Sequence, residues 1–235
     1  MSGSSDIIQT ELLPEDCNIY DMSFKMIVLG DAGVGKSCLT SKATKGVFEE
    51  SYAPTVGFEF LVFNLKINDK VVKLQIWDTC GQELYRSLIS SFYRNSSLAM
   101  MVYSIDNRES FNHINSWLKE VKLQSNPDIK VFLIGNKSDL EKQRKVSLEE
   151  AETFGKENGF NYFSETSAKS GINAKEVFIE AAKLLYTDYM QCKAKKKINM
   201  GMDISDLSSD VSDSVPIPIK VSQDNDKRKK KGCCG

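Results

Sequence analysis

The segment Gly30-Asp31-Ala32-Gly33-Val34-Gly35-Lys36-Ser37 constrains the fold more than any other part of the chain. It follows the apolar run Phe24 to Leu29 and precedes Lys36 to Ala43, which can be helical. A glycine-rich turn between a strand and a helix lets successive backbone N–H groups point at one anion, and the helix N-terminus adds positive potential. In the phosphate-loop pattern the lysine reaches the terminal phosphate oxygens and the following hydroxyl ligates Mg²⁺. Here those residues are Lys36 and Ser37. The loop alone does not separate ATP from GTP, or a kinase from a switch.

The rest of the chain supplies the sheet such a loop needs. Apolar runs rich in Val, Ile, Leu and Met fall at Phe24 to Leu29, Leu61 to Ile67, Val71 to Trp77, Leu98 to Ser104, Val131 to Ile134 and Tyr162 to Ser164. They alternate with amphipathic segments at Lys36 to Ala43, Ser110 to Leu123, Leu148 to Glu157 and Asn173 to Met190. Only the second and third runs are joined tightly, through Asn68-Asp69-Lys70, so these two form an antiparallel hairpin and the others need crossovers. The expectation is an α/β fold with six mostly parallel strands, one antiparallel hairpin strand and about five helices. Residues 1–22 read as a flexible extension, 23–191 as the globular domain, and 192–235 as a disordered tail with too few apolar residues to offset its ordering entropy.

Two further motifs follow strands, where open α/β sheets place ligands. In Asn136-Lys137-Ser138-Asp139, the Asp139 carboxylate can accept from N1 and N2 of guanine, whereas adenine lacks both donors in that arrangement. Thr166-Ser167-Ala168-Lys169 lies behind the next strand. Trp77-Asp78-Thr79-Cys80-Gly81-Gln82-Glu83 ends the hairpin, with Thr55 upstream in a proline-containing loop. This set reads as a γ-phosphate sensor. Thr55 would ligate Mg²⁺, Asp78 would hold it through water, the Gly81 N–H would bind the γ-phosphate, and Gln82 would orient the attacking water.

Taken together, residues 24–191 resemble a Rab-type small GTPase of the Ras superfamily, a P-loop NTPase G domain. Val56-Gly57-Phe58-Glu59-Phe60 is similar to the effector-loop signature and Lys73 to Thr79 to the interswitch strand. Tyr85-Arg86-Ser87-Leu88 with Phe92-Tyr93-Arg94 resembles the second switch, and Glu109 to His113 and Ser138 to Glu141 resemble most the Rab two, four and fourteen subgroup. The resemblance implies GTP/GDP and Mg²⁺ as ligands, with Ser37, Thr55 and Asp78 at the metal and Gln82, Lys36 and Gly81 in hydrolysis. It implies nucleotide contacts from Asp31, Ala32, Gly33, Val34, Gly35, Lys36, Ser37, Cys38, Thr55 and Gly81 on the phosphate side. On the base side it implies Phe48, covering the guanine edge, Asn136, Lys137, Asp139, Leu140, Ser167, Lys169 and Ala168, whose N–H meets the guanine O6. Phe60, Trp77 and Phe92 correspond to an effector-reading aromatic triad. The chain departs from the pattern at Cys80 for Ala, Leu84 for Arg, Phe92 for Tyr and Ser104 for Asp, and Cys80 lies nearest the Gln82 loop. If Cys80 disables that loop, the alternative is a GTP-locked binding scaffold; a P-loop kinase or ATPase would need a base reader other than Asp139.

Charge adds the last element. The net charge is −1, which offers no electrostatic argument for nucleic acid, but Lys227-Arg228-Lys229-Lys230-Lys231 is a basic run suited to an anionic membrane. Beyond it, Cys233-Cys234-Gly235 resembles the double-cysteine ends that Rab proteins offer for geranylgeranylation. Val215-Pro216-Ile217-Pro218-Ile219 resembles an escort-protein motif and reads equally as a spacer. The other four of the six cysteines show neither disulfide nor zinc spacing, no run reaches the roughly 20 apolar residues of a spanning helix, and the single histidine, His113, reads as a surface residue. The resemblance implies a monomeric G domain served by an exchange factor, an activating protein, a GDP dissociation inhibitor, the Rab escort protein and effectors. It places the chain on the cytoplasmic face of endomembranes, Golgi or endosomal, with a cytosolic inhibitor-bound pool.

Overall fold

The computed structural model describes residues 8–49, 57–80 and 92–199. Seven strands form one sheet: β1 (Thr10–Leu13), β2 (Met22–Leu29), β3 (Phe58–Ile67), β4 (Lys70–Thr79), β5 (Leu98–Ser104), β6 (Lys130–Asn136) and β7 (Tyr162–Glu165), in spatial order β1-β3-β4-β2-β5-β6-β7. The described helices are α1 (Lys36–Lys45), α2 (Arg108–Asn112), α3 (Ile114–Gln124), α4 (Leu148–Glu157) and α5 (Glu176–Asn199).

Side-chain alternation along the central strands builds a core on each face of the sheet. Met26, Val28, Met100, Val102, Phe132 and Ile134 point to the face covered by Leu39 and Ala43 of α1 and by Val177, Phe178, Ala181 and Leu185 of α5. Ile27, Leu29, Ala99, Met101, Val131 and Leu133 point to the other, against Ile114, Trp117, Leu118 and Val121 of α3 and Ala151 of α4. All seven residues of β5 are buried, as a parallel strand covered on both faces requires. Each such aliphatic side chain contributes about 1.5–3 kcal/mol through burial, and a charge introduced at Met100 would sit in this core without a partner.

β2 pairs parallel with both β4 and β5, while the chain first travels outward to β4 and β3 and then returns to β5. That reversal of strand order is the position where an open α/β sheet opens a ligand crevice. The phosphate loop leaves β2 there.

Four differences from the sequence expectation stand out. The sheet has seven strands rather than six, because Thr10–Leu13, expected within a flexible extension, pairs antiparallel with β3 from Thr10↔Ile67 to Leu13↔Asn64. The buried Asn64 amide stabilises this strap by donating to the carbonyls of Pro14 at 2.9 Å and Glu15 at 3.2 Å. The helix expected over residues 110–123 is divided at His113. The last helix continues to Asn199, past both Met190, where it was expected to stop, and residue 192, where the tail was expected to begin.

Candidate nucleotide-binding site

Close packing makes the loop depend on its glycines at two points. A Cβ on Gly30 (φ +135°) would stand 2.0 Å from the Val102 carbonyl oxygen, and one on Gly35 (φ +92°) 2.4 Å from Asn136 Nδ2. Gly35 is the N-cap of α1, so the positive end of the helix dipole opens onto the loop. Lys36 is buried and folds back over the loop, its ammonium donating to the carbonyls of Gly30 and Asp31 at 2.8 Å each. Burial lowers its pKa, while Asp78 and Asp31 oppose that shift. Ala32 and Gly33 are exposed at the loop's tip, Val34 is buried in the core, and Cys38 is half-buried in the first turn of α1.

Behind the loop, Ser37 donates to a carboxylate oxygen of Asp78, which lies fully buried near the end of β4. The other oxygen, Oδ1, has no hydrogen-bond partner, and burial pushes the Asp78 pKa up to about 6 against the opposing effects of Ser37 and Lys36. A buried carboxylate with one unpartnered oxygen, beside a serine hydroxyl at a phosphate loop, is a hard-oxygen donor set that fits Mg²⁺.

The base side is assembled by hydrogen bonds across β6 and β7. Asn136 Nδ2 donates to the Val34 carbonyl at 2.9 Å, and its Oδ1 accepts from Thr166 Oγ1 at 3.1 Å and the Ala168 N–H at 3.3 Å. The Ala168 amide expected to face guanine O6 is thus engaged with Asn136. Lys137 adopts a left-handed conformation (φ +64°), and Ser138 N–H donates to the Thr166 carbonyl at 3.0 Å. Asp139 is exposed, with Oδ1 accepting from Ser167 Oγ at 2.5 Å. Leu140 is half-buried, Ser167 buried and Lys169 exposed. Phe48 is half-buried against the α1 side of the core. Thr55, Gly81 and Gln82 lie outside the described residues, as do Cys233, Cys234, Lys227 to Lys231 and Val215 to Ile219. Cys80, next to Gly81 in the chain, is buried and donates its N–H to the Gly57 carbonyl at 3.0 Å.

Other site features are absent from the sequence reading. His113 is half-exposed, as a surface residue should be, yet its Nδ1 lies 2.6 Å from Asp31 Oδ2, and the Trp117 indole donates to Asp31 Oδ1 at 3.1 Å. These two contacts pin the phosphate loop to the start of α3. Phe60, Trp77 and Phe92 are joined by Phe58, whose ring centroid is 5.2 Å from Trp77 and 4.7 Å from Phe92. Phe58 and Phe60 stand two apart on one strand and so share a face, a pattern the sequence already carries. The Lys25 ammonium caps the group, 5.1 Å from the Trp77 ring.

A phosphate loop at the strand-order reversal of an α/β sheet, tied to an exposed aspartate behind β6, defines a P-loop nucleotide-binding domain. The family model described as Ras family matches residues 25–187. The chain belongs to the Ras family and is a small GTPase of the Ras superfamily. Members of this family bind GTP and GDP with Mg²⁺, typically hydrolyse GTP, and generally engage exchange factors, activating proteins and effectors.

Proposed function

We propose that this chain is a Rab-type GTPase switch of vesicle traffic, reading guanine through Asp139 and held on membranes by prenyl groups on Cys233 and Cys234. The observation that carries the nucleotide reading is the Asn136 bridge, which joins the phosphate loop to both base-side segments and leaves Asp139 exposed beside them. Ser37, Thr55 and Asp78 would hold Mg²⁺, which would supply positive charge to offset the negative charge developing on the phosphates. Lys36 supplies a fixed positive charge from a buried position, where it is screened less than in water.

In the reaction, Gln82 orients a water toward the γ-phosphorus, the bond from that phosphorus to the β–γ bridging oxygen breaks, and GDP and phosphate leave. The Gly81 N–H and Thr55, both touching the γ-phosphate, then lose that contact and the two switch loops relax. No arginine of the switch loops reads as an in-cis finger, so intrinsic turnover is slow and an activating protein adds about 10³–10⁵ in rate. An exchange factor opens the magnesium site, the escort protein presents the tail for prenylation, and a dissociation inhibitor masks the lipids in a cytosolic pool. Phe60, Trp77 and Phe92, with Phe58, form the effector-facing surface; Phe58 and Phe60 are about half exposed, more than isolated core aromatics would be. Membership of the two/four/fourteen subgroup and Golgi or endosomal membranes belong to the same reading.

Single-turnover hydrolysis of bound GTP, in the parent and in Gln82→Leu, tests the switch. A slow parent reaction lowered at least about tenfold in the variant, with nucleotide affinity kept, is the expected result. GTP retained by the parent without turnover would instead establish the GTP-locked scaffold.

A further inference from the structure

Arg144 follows the 3₁₀ turn Ser138–Gln143, which carries Asp139, and takes no part in the site described above. Its guanidinium holds two carboxylates at once. Nη1 and Nη2 donate to the two oxygens of Glu165 at 2.6 and 2.8 Å, a parallel fork. Nη2 also donates to Glu141 Oε2 at 2.6 Å, and Nε to the two Glu141 oxygens at 2.9 and 3.0 Å. The Val146 carbonyl accepts a further bond from Nη1 at 2.9 Å.

Glu141 stands two residues after Asp139, and Glu165 immediately precedes Thr166-Ser167-Ala168-Lys169. The fork therefore spans the two segments that meet the base. The side chains of Arg144 and Glu165 are only 19% and 14% exposed, so this arm is far less screened than a surface pair, whereas Glu141 is 66% exposed. A Cβ on Gly135 of β6 would clash with Tyr103 Oη at 2.7 Å and crowd Glu165 Cγ at 3.3 Å, so a side chain here would press on Tyr103 first and on Glu165 beside it. Between the segments themselves, the Ser138-to-Thr166 backbone bond and the Ser167-to-Asp139 contact accompany the bridges from Asn136.

We infer that Arg144 is a positioning residue for guanine recognition: by gripping Glu165 and Glu141 it fixes the Asp139 turn against the Ala168 segment, so that both present to one base edge. This rests on the proposed reading of guanine by Asp139. Without the guanidinium, two carboxylates of like charge face each other, Glu165 loses its partner in a mostly buried position, and the turn bearing Asp139 is freed from β7. The contribution differs from that of Asn136, which ties the base side to the phosphate loop and acts on every nucleotide alike.

The test is the dissociation rate of GDP and of inosine diphosphate, which lacks the 2-amino group that Asp139 accepts from, measured with full-length protein. The parent should release inosine diphosphate faster than GDP. Arg144→Gln should speed GDP release about 10- to 100-fold and speed inosine diphosphate release much less, shrinking the ratio between them. Arg144→Lys, which keeps charge without the fork, should fall between, and Glu141→Gln, which loosens only the exposed arm, should speed GDP release less than Glu165→Gln does. If Arg144→Gln does not yield folded protein, Glu165→Gln carries the same expectation with the acceptor oxygen retained. Equal acceleration of both nucleotides would reduce Arg144 to a stabilising residue and overturn the inference, as would unchanged rates. A parent that does not distinguish the two nucleotides would overturn the base-reading assignment of Asp139 and this inference with it.

Discussion

Asn136 Nδ2 donates to the backbone carbonyl of Val34 at 2.9 Å, joining residues 102 positions apart in the chain. Its other amide atom accepts from Thr166 and Ala168, so one buried side chain connects the phosphate loop with the two segments behind β6 and β7. Asn136→Ala removes all of these bonds and leaves the Val34 carbonyl buried without that donor. The expected cost is about 2–4 kcal/mol in nucleotide affinity, or roughly 30- to 700-fold in Kd. GDP and inosine diphosphate should be affected alike. Titration calorimetry on nucleotide-depleted protein checks this, and a change under threefold would mean the bridge is not needed for binding.

Asp78 predicts how magnesium binding depends on pH. Its folded, metal-free pKa lies near 6, above the ordinary carboxylate value, because it is buried. A raised carboxyl pKa stabilises the fold below the unfolded value of about 4 and ceases to do so as pH rises through 6. Mg²⁺ needs the charged form, so its binding displaces a proton below pH 6. Affinity of the GDP complex for Mg²⁺ should be level above about pH 7 and fall toward tenfold per pH unit below 6. The slope should disappear in Asp78→Asn. Affinity independent of pH down to 5 in the parent would show that Asp78 does not serve the metal.

Much of this architecture is legible in the chain because its signals are local. The continuous apolar runs of β2, β5 and β6 and the phosphate loop between β2 and α1 need no knowledge of distant partners. β1 is different: Thr-Glu-Leu-Leu is too short to alternate clearly, and its pairing depends on the edge of β3 and on Asn64, about 50 residues away. The Arg144–Glu165 fork and the His113–Asp31 contact are likewise invisible to spacing, since polar side chains far apart in the chain read as solvated until the fold brings them together. Thr55, Gly81 and Gln82 were legible only as motif positions, and they lie outside the described residues.

The tail separates lipid from charge. Changing Cys233 and Cys234 to Ser keeps the basic run Lys227 to Lys231 intact while removing both thiols. Each buried CH₂ of a prenyl chain contributes about 0.8 kcal/mol and each nearby basic residue about 1 kcal/mol, so the two proposed prenyl chains would dominate the anchor. The double-serine variant should be cytosolic at every salt concentration and bind GTP normally, whereas neutralising the basic run should weaken or redirect attachment without abolishing it. Membrane fractionation with mass spectrometry of the C-terminal peptide checks both. An unmodified peptide on membrane-bound protein would point to a protein tether instead.

The central claim, that this site reads guanine through Asp139, is tested most directly by competition of GTP, ATP and xanthosine triphosphate for the parent and for Asp139→Asn. The parent should exclude ATP and xanthosine triphosphate, because only guanine offers both N1 and N2 hydrogens to the carboxylate. In the variant the amide can donate to the C2 oxygen of xanthine, and preference should pass to xanthosine triphosphate. A parent that binds ATP as well as GTP, or a variant that keeps the original preference for GTP, would contradict the account.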